Sequence, residues 1–293
     1  MTGNTGNTGN TGNTGNTGNA GGSVAVDGWV FADRIDWPFV LEAGGNAAPY
    51  VSPPLPSFPD ARWGAQWRAQ LVLAEFLKQV VWTTFNLKVS HNGDPGDPLH
   101  DPAGEIATLL QLAEDNRADA LGEILSQNGE FLSCFAGLLH IAPGSRPATR
   151  TLLHIAELVA TVAVMHFKYQ EKRARPSAIC PALFPPVSVP SHPSWPSGHA
   201  TQSHLVFLIL DFALAGSFTI SANNHGPVPG NHGPLIQALR VLADRIARNR
   251  EIAGLHFPTD SAAGKNLADE LLDVLKTCPT FLDIVAAAKQ EAW

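Results

Sequence analysis

From Ala61 to the C-terminus, apolar residues return every three or four positions in one segment after another, and almost nowhere at every second position. That period belongs to helices with one buried face, not to strands. Trp63, Trp67, Leu71, Leu73, Ala74, Leu77 and Val80 open the series. "PLHDPAGEIATLLQLAEDNRADALGEILSQ" reads as two helical patterns starting at Asp101-Pro102. "SRPATRTLLHIAELVATVAVMHFKYQEKRA" reads as a long helix that ends before Pro176. Residues 177–196 form a Pro-rich loop, and further helices are expected over about Ser197–Ala215, Pro234–Ala253, Pro258–Thr277 and from Pro279 onward. The fold class is all-α, a helical bundle.

The N-terminal part does not share this pattern. Residues 2–19 are six copies of Thr-Gly-Asn, with no apolar side chain to bury, so residues 1–27 read as a disordered tail. Residues 28–60 mix aromatics with prolines and read as an irregular arm. The chain from 28 to 293 is taken as one domain.

Composition removes several classes of function. Of 293 residues only 15% are charged, and the net charge of −7 argues against a nucleic-acid partner. Cys134, Cys180 and Cys278 are odd in number and widely spaced, which suits neither a disulfide framework nor a zinc site. The first 23 residues lack the basic and apolar regions of a signal peptide. The apolar stretches Leu205–Gly216 and Leu152–Phe167 are short or interrupted by Asp211, His154, Glu157 and His166, so no membrane span is expected. The default is a soluble, cytoplasmic protein. The apolar positions of residues 61–88 are core or subunit interface, which leaves a homo-oligomer open.

Three short motifs carry the chemistry. Lys168 and Arg175 stand seven apart, two turns along one helix face, with Lys172 and Arg173 near them. Cations at a helix end also suit its dipole, which is the simpler explanation of the group taken alone. Pro196-Ser197-Gly198-His199 places a hydroxyl, a bare backbone amide and an imidazole at a helix start, where outward N–H groups bind anions. Arg250, His256 and Asp260 form the third motif. Phe257-Pro258 breaks the helix at His256, and Asp260 in the next first turn can accept one imidazole proton, leaving the other nitrogen to act as nucleophile or ligand.

In this order, Lys168-x6-Arg175-Pro176, Pro196-Ser197-Gly198-His199 and Arg250-x5-His256-x3-Asp260 resemble the three-part signature of the type 2 phosphatidic acid phosphatase and vanadium haloperoxidase superfamily. The resemblance covers roughly residues 150–265, with Asn249 where the family has Ser. It implies that Lys168, Arg175, Ser197, Gly198 and Arg250 bind a tetrahedral oxyanion, and that His199, His256 and Asp260 are catalytic.

The same pocket supports two chemistries. In the haloperoxidase, vanadate is the cofactor, His256 ligates vanadium, and the substrates are hydrogen peroxide and a halide. In the phosphatase no cofactor is needed: a phosphate ester is the substrate, and His256 forms a phosphohistidine. "HPSWPSGHATQ" is similar to the bromoperoxidase wording, with His192 seven before His199 tuning the halide; "HFPTDSAAG" is closer to the phosphatase wording. The haloperoxidase is placed first. A phosphate-binding scaffold would not need His199, His256 and Asp260. The two "NHGP" stretches, 224–227 and 231–234, and the Asp-rich residues 91–101 read as loops, the latter lacking calcium-loop spacing.

Overall fold

A computed structural model describes residues 58, 63–87, 90–91, 94–95, 102–142, 144–214 and 233–291. The expected tail, the boundary at 27/28, most of the 28–60 arm, the 217–232 loop and the histidines of both "NHGP" stretches lie outside the described residues. Residues 67–293 make one compact unit.

The described residues are helical apart from short turns, the Pro-rich loop of residues 184–197 and one two-residue antiparallel ladder, β1 (Ser90–His91) with β2 (Asp94–Pro95). The helices are α1 Ala65–Gln79, α2 Pro102–Gly129, α3 Leu132–Leu138, α4 Pro147–Glu171, α5 Pro176–Ile179, α6 Gly198–Leu214, α7 Pro234–Ile252, α8 Pro258–Leu275 and α9 Pro279–Ala288. All but α1, α3 and α6 begin on a proline, whose fixed φ suits a first turn. One expectation needs correction. The two patterns of residues 98–127 are one continuous helix of 28 residues, because no Gly or Pro interrupts its interior strongly enough to break it. The seven-residue α3 has no counterpart among the helices expected from the sequence, because it spans only two turns, too few to show a helical period.

α6 is the centre of the bundle. It packs on α4, α7 and α8, and Ala200, His204, Leu205, Val206, Ile209, Leu210, Ala213 and Leu214 are all buried. A helix buried on most sides must be apolar on most sides, which its sequence is. α4 lies against it with Leu152, Ile155, Ala156, Val159, Ala160 and Ala163 fully buried. Against expectation, the stretch Pro147–Ile179 is long and apolar enough to cross a membrane, with mean hydropathy 1.4; 61% of its apolar window is buried within the protein. On α1, Ala69, Val72 and Phe76 enter the core while Leu71 and Leu77 remain exposed. A second, smaller core joins Leu109, Leu112 and Ile124 of α2 to Leu183, Ile252, Leu255 and Phe257.

Carboxylates from distant segments satisfy helix N-termini, as the dipole favours. Glu291 accepts from the Ala148 and Thr149 amides at 2.7 and 3.1 Å, and Glu75 from Thr280 N at 3.0 Å. Glu105, in the first turn of α2, accepts from Thr259 N at 2.9 Å.

The starts of α6 and α8 meet closely. Ser197 N donates to Asp260 O at 2.9 Å. A Cβ on Gly264 would lie 2.8 Å from Ser197 O and 3.0 Å from Ala200 Cβ, so only glycine fits. Gly264→Ala is therefore expected to destabilise the protein by about 1–3 kcal/mol, as overpacking does, while Gly198→Ala, whose Cβ would meet Val164 Cγ1 at 3.8 Å, changes stability little. Chemical denaturation followed by circular dichroism distinguishes the two; equal stability of both variants would contradict this helix contact.

Candidate active site

The site forms where α4, α6, α7 and α8 end or begin. α4 stops at Lys172, which takes a left-handed φ of 52°. Arg175 is extended, as a residue before proline should be. Lys168 and Arg175 thus do not share a helix face: Lys168 is the last-turn cation of α4, and Arg175 turns inward from the segment after the break. α7 ends in a Schellman turn, with Leu255 N donating to Arg250 O at 3.0 Å and Gly254 N to Glu251 O at 2.8 Å. Gly254 supplies the required positive φ of 72°. This turn and Pro258 together place His256 between two helices.

Asp260 is fully buried and organises the histidine. Its Oδ1 accepts from Arg173 Nη1 at 2.7 Å. Its Oδ2 accepts from Phe257 N at 3.0 Å, from Ser194 Oγ, and from His256 Nδ1 at 3.1 Å. Burial alone would raise the Asp260 pKa; hydrogen bonds from His256 and Ser194 and the Arg173 charge outweigh it and hold the group at about 2. His256 is held at about 3, chiefly by burial, with Lys168 and Arg175 adding to the effect. The pair is thus a carboxylate beside a neutral imidazole. Nδ1–H faces the carboxylate, so the lone pair is on Nε2, where Arg175 Nη1 lies 3.2 Å away as a donor.

Arg175 spans two histidines. Nη2 lies 3.0 Å from His192 Nδ1, Nε donates to His192 O at 3.0 Å, and Nη1 also donates to Leu255 O at 2.9 Å. A guanidinium can only donate, so His192 Nδ1 accepts. The Pro193 carbonyl, 3.2 Å from the same nitrogen, accepts instead from Lys168 Nζ at 2.6 Å. His192 is half-buried and joined to the site, not turned to bulk water.

Three buried cations converge here. Burial lowers Lys168 to about 7, with Arg175 adding repulsion, and lowers Arg175 and Arg250 to about 10. Arg250 donates to Ile124 O at 3.0 Å, while its buried Nε has no hydrogen-bond partner among the described residues. A buried guanidinium N–H left unpaired is costly and invites an acceptor. Ser197 is fully buried, and the protein's own packing leaves room beside Gly198. His199 Nε2 lies 3.0 Å from Gln127 O; a carbonyl only accepts, so Nε2 carries the proton and Nδ1 the lone pair. Burial, Arg250, Arg175 and Lys168 lower His199 to about 4. Lys168 and Arg175 therefore act on both His199 and His256.

Sequence reasoning misses the residues behind this constellation. Arg173 reads from the sequence only as a neighbour of the first motif. It is buried, donates to Asp260, Thr259 Oγ1 (2.7 Å) and Glu105 Oε2 (2.6 Å), and its guanidinium carbon lies 3.9 Å from the Phe257 ring centroid. Glu105, Arg117, Glu123 and Gln127, all on α2, belong to no motif. Arg117 donates to Ile252 O at 3.0 Å and Leu183 O at 2.7 Å. Asn249, the substitute for the family's Ser, donates to Glu123 at 3.0 Å and Gln127 at 2.8 Å, so it anchors α7 to α2.

No protein-family model matches the chain, and no curated protein matches it. Among solved structures, the chain is similar to the first transmembrane PAP2 type phosphatidylglycerolphosphate phosphatase from Bacillus subtilis, with 16% sequence identity, a TM-score of 0.44, and coverage of 72% of this chain and 95% of that one.

Proposed function

We propose that the protein is a vanadate-dependent haloperoxidase, bromoperoxidase-like at His192. The observation that carries this reading is the Arg175 bridge, which ties His192 Nδ1 and His256 Nε2 to one guanidinium. A phosphatase has no step for His192. A halide oxidant has a use for a second imidazole that adjusts the charge around its anion.

The donor set suits vanadate. The unpartnered Arg250 Nε, the Lys168 and Arg175 cations and the Ser197–Gly198 helix start offer charge and N–H or O–H donors to a tetrahedral oxyanion. His256 Nε2 would bond its centre. Bound vanadate supplies an electron-poor centre at which hydrogen peroxide becomes able to oxidise halide. Asp260 holds the Nδ1 proton of His256, which keeps Nε2 unprotonated and correctly turned. His199, neutral near pH 7, can take a proton from an approaching peroxide at Nδ1. The reading treats α4 as an internal helix and the protein as soluble and cytoplasmic, with hydrogen peroxide and halide as its partners and no membrane or nucleic acid involved.

The His256–Asp260 pair also favours a second reading, an acid phosphatase. His256 Nε2 would attack phosphorus, the ester P–O bond would break, and the leaving oxygen would take a proton from His199. Water would then attack the phosphohistidine and release phosphate. Because His199 is held at about 4, this reading carries an acidic pH optimum.

Three outcomes are expected. His256→Ala lowers vanadate- and peroxide-dependent bromination at least about a hundredfold, while the fold persists because Asp260 keeps Arg173 and Ser194. Dye bromination and circular dichroism measure both; retained activity would refute the assignment of His256.

Phosphate and vanadate should compete for one site, and affinity for both should weaken as pH rises. Lys168 is lowered to about 7, so the free site loses a positive charge above that value. Calorimetric titrations at about pH 6 and 8, either side of that value, each anion with and without the other, test this; simultaneous binding of both would exclude a shared pocket.

His192→Phe should change bromide turnover or halide preference yet leave vanadate affinity within about fivefold, the worth of one hydrogen bond, since Arg175 keeps its bonds to Leu255 O and the residue-192 carbonyl. If peroxide-dependent halide oxidation is absent from the vanadate-loaded parent and a chromogenic phosphate ester is hydrolysed at acidic pH instead, the phosphatase reading replaces the first.

A further inference from the structure

A cavity of about 190 Å³ opens beside His199; no other residue of the three motifs lines it, and Arg250 Nη1 reaches only its wall residue Asn128, at 3.5 Å. Its wall includes Gln127, Glu130, Phe131, Glu157, His199 and Gln202. Nothing in the proposed chemistry of the anion uses it. We propose that it receives the organic acceptor of the halogen, and that it selects a single aromatic ring bearing an ammonium group; this rests on the haloperoxidase reading.

Size, shape and charge support the choice. A protein cavity of about 150 Å³ is enough to hold benzene, so this one admits a ring with a short side chain. Phe131 is buried, and its ring lies 5.4 Å from the His199 ring at 44°, giving the cavity an aromatic wall beside the reactive imidazole. The wall holds two acidic side chains, Glu130 and Glu157, and no Lys or Arg. Gln127, Asn128 and Gly129 are the last residues of α2, whose carbonyl end favours positive charge. An ammonium group gains from the carboxylates, the helix end and the face of Phe131 together. The anion site behind His199 has the opposite sign, with Lys168, Arg175 and Arg250. The pocket is thus polarised across His199, and a neutral or anionic ring loses that attraction.

The chemistry balances with the species already named. Halide, hydrogen peroxide and a proton give a hypohalous acid and water. A ring carbon then bonds to the halogen as the halogen–oxygen bond breaks, hydroxide leaves, and the ring proton joins it as water.

Tyramine and 4-ethylphenol, which share a ring and differ in the ammonium group, test the proposal by NMR titration of the full-length protein without vanadate or peroxide. Tyramine is expected to bind about tenfold more tightly than 4-ethylphenol, and a Glu130→Gln/Glu157→Gln variant is expected to remove that preference. Glu130 is exposed and Glu157 partly so. The glutamine side chain introduced in place of Glu130 keeps an oxygen for the Ser133 amide, which now donates to that carboxylate at 2.9 Å, so folding is preserved. Equal binding of the two ligands, or a tyramine preference untouched by the double variant, would overturn the proposal. Bromination of 4-ethylphenol with no tyramine preference sinks the cavity assignment alone. A carboxylate-dependent tyramine preference without any halide oxidation leaves the cation pocket standing and removes the haloperoxidase reading.

Discussion

Asp260 accepts four hydrogen bonds in a place where water does not reach. An ionised carboxylate so buried is tolerable only when its lone pairs are engaged. Each donor comes from a different part of the problem. Phe257 N starts α8, Ser194 belongs to the Pro-rich loop, Arg173 follows α4, and His256 lies in the turn between α7 and α8. Satisfying one charge therefore fixes the start of a helix, the path of a loop, the exit from α4 and the tautomer of an imidazole. The Asp260 backbone contributes a fifth tie, since its carbonyl receives Ser197 N.

The positive side of the site is arranged differently. Lys168, Arg175 and Arg250 direct donors at backbone carbonyls: Pro193 and Ser194 for Lys168, Leu255 and His192 for Arg175, Ile124 for Arg250. Carbonyls hold a cation in position without cancelling its charge, so burial depresses all three pKa values, and repulsion from Arg175 deepens the effect at Lys168. Under the proposed function, an entering oxyanion would relieve that stress. Burial first, and the same cations second, keep His199 and His256 neutral where solvent would leave a measurable fraction protonated.

Much of this is legible in the sequence. The bundle follows from the 3.6-residue period, and the proline-led starts of α7, α8 and α9 follow from proline's fixed φ and missing N–H. Lys168, Arg175, Ser197, Gly198, Arg250, His256 and Asp260 can be picked out because each belongs to a short, ordered motif. Their arrangement cannot: the helical spacing of Lys168 and Arg175 suggests one surface, whereas a left-handed Lys172 ends the helix between them. Arg173 is hidden by the ordinary tendency of cations to gather at helix ends. Glu105 and Gln127 leave a fainter mark. They are buried on the same helix as Leu109, Leu112 and Ile124, where an acid and an amide are out of place unless something buried needs them. Long-range partnership of that kind has no local period.

α2 touches the site at both of its ends. Glu105 in its first turn holds Arg173 and Thr259, and Gln127 in its last holds Asn249 and His199. The stretch from one to the other is uninterrupted helix, a rod of about 33 Å at 1.5 Å per residue. Such a rod works as a gauge. One residue inserted anywhere along it would rotate the far end by about 100° and advance it by about 1.5 Å, so that only one of the two grips could close. This stretch of helix has a length set by the two grips it joins, although none of its residues belongs to the three motifs.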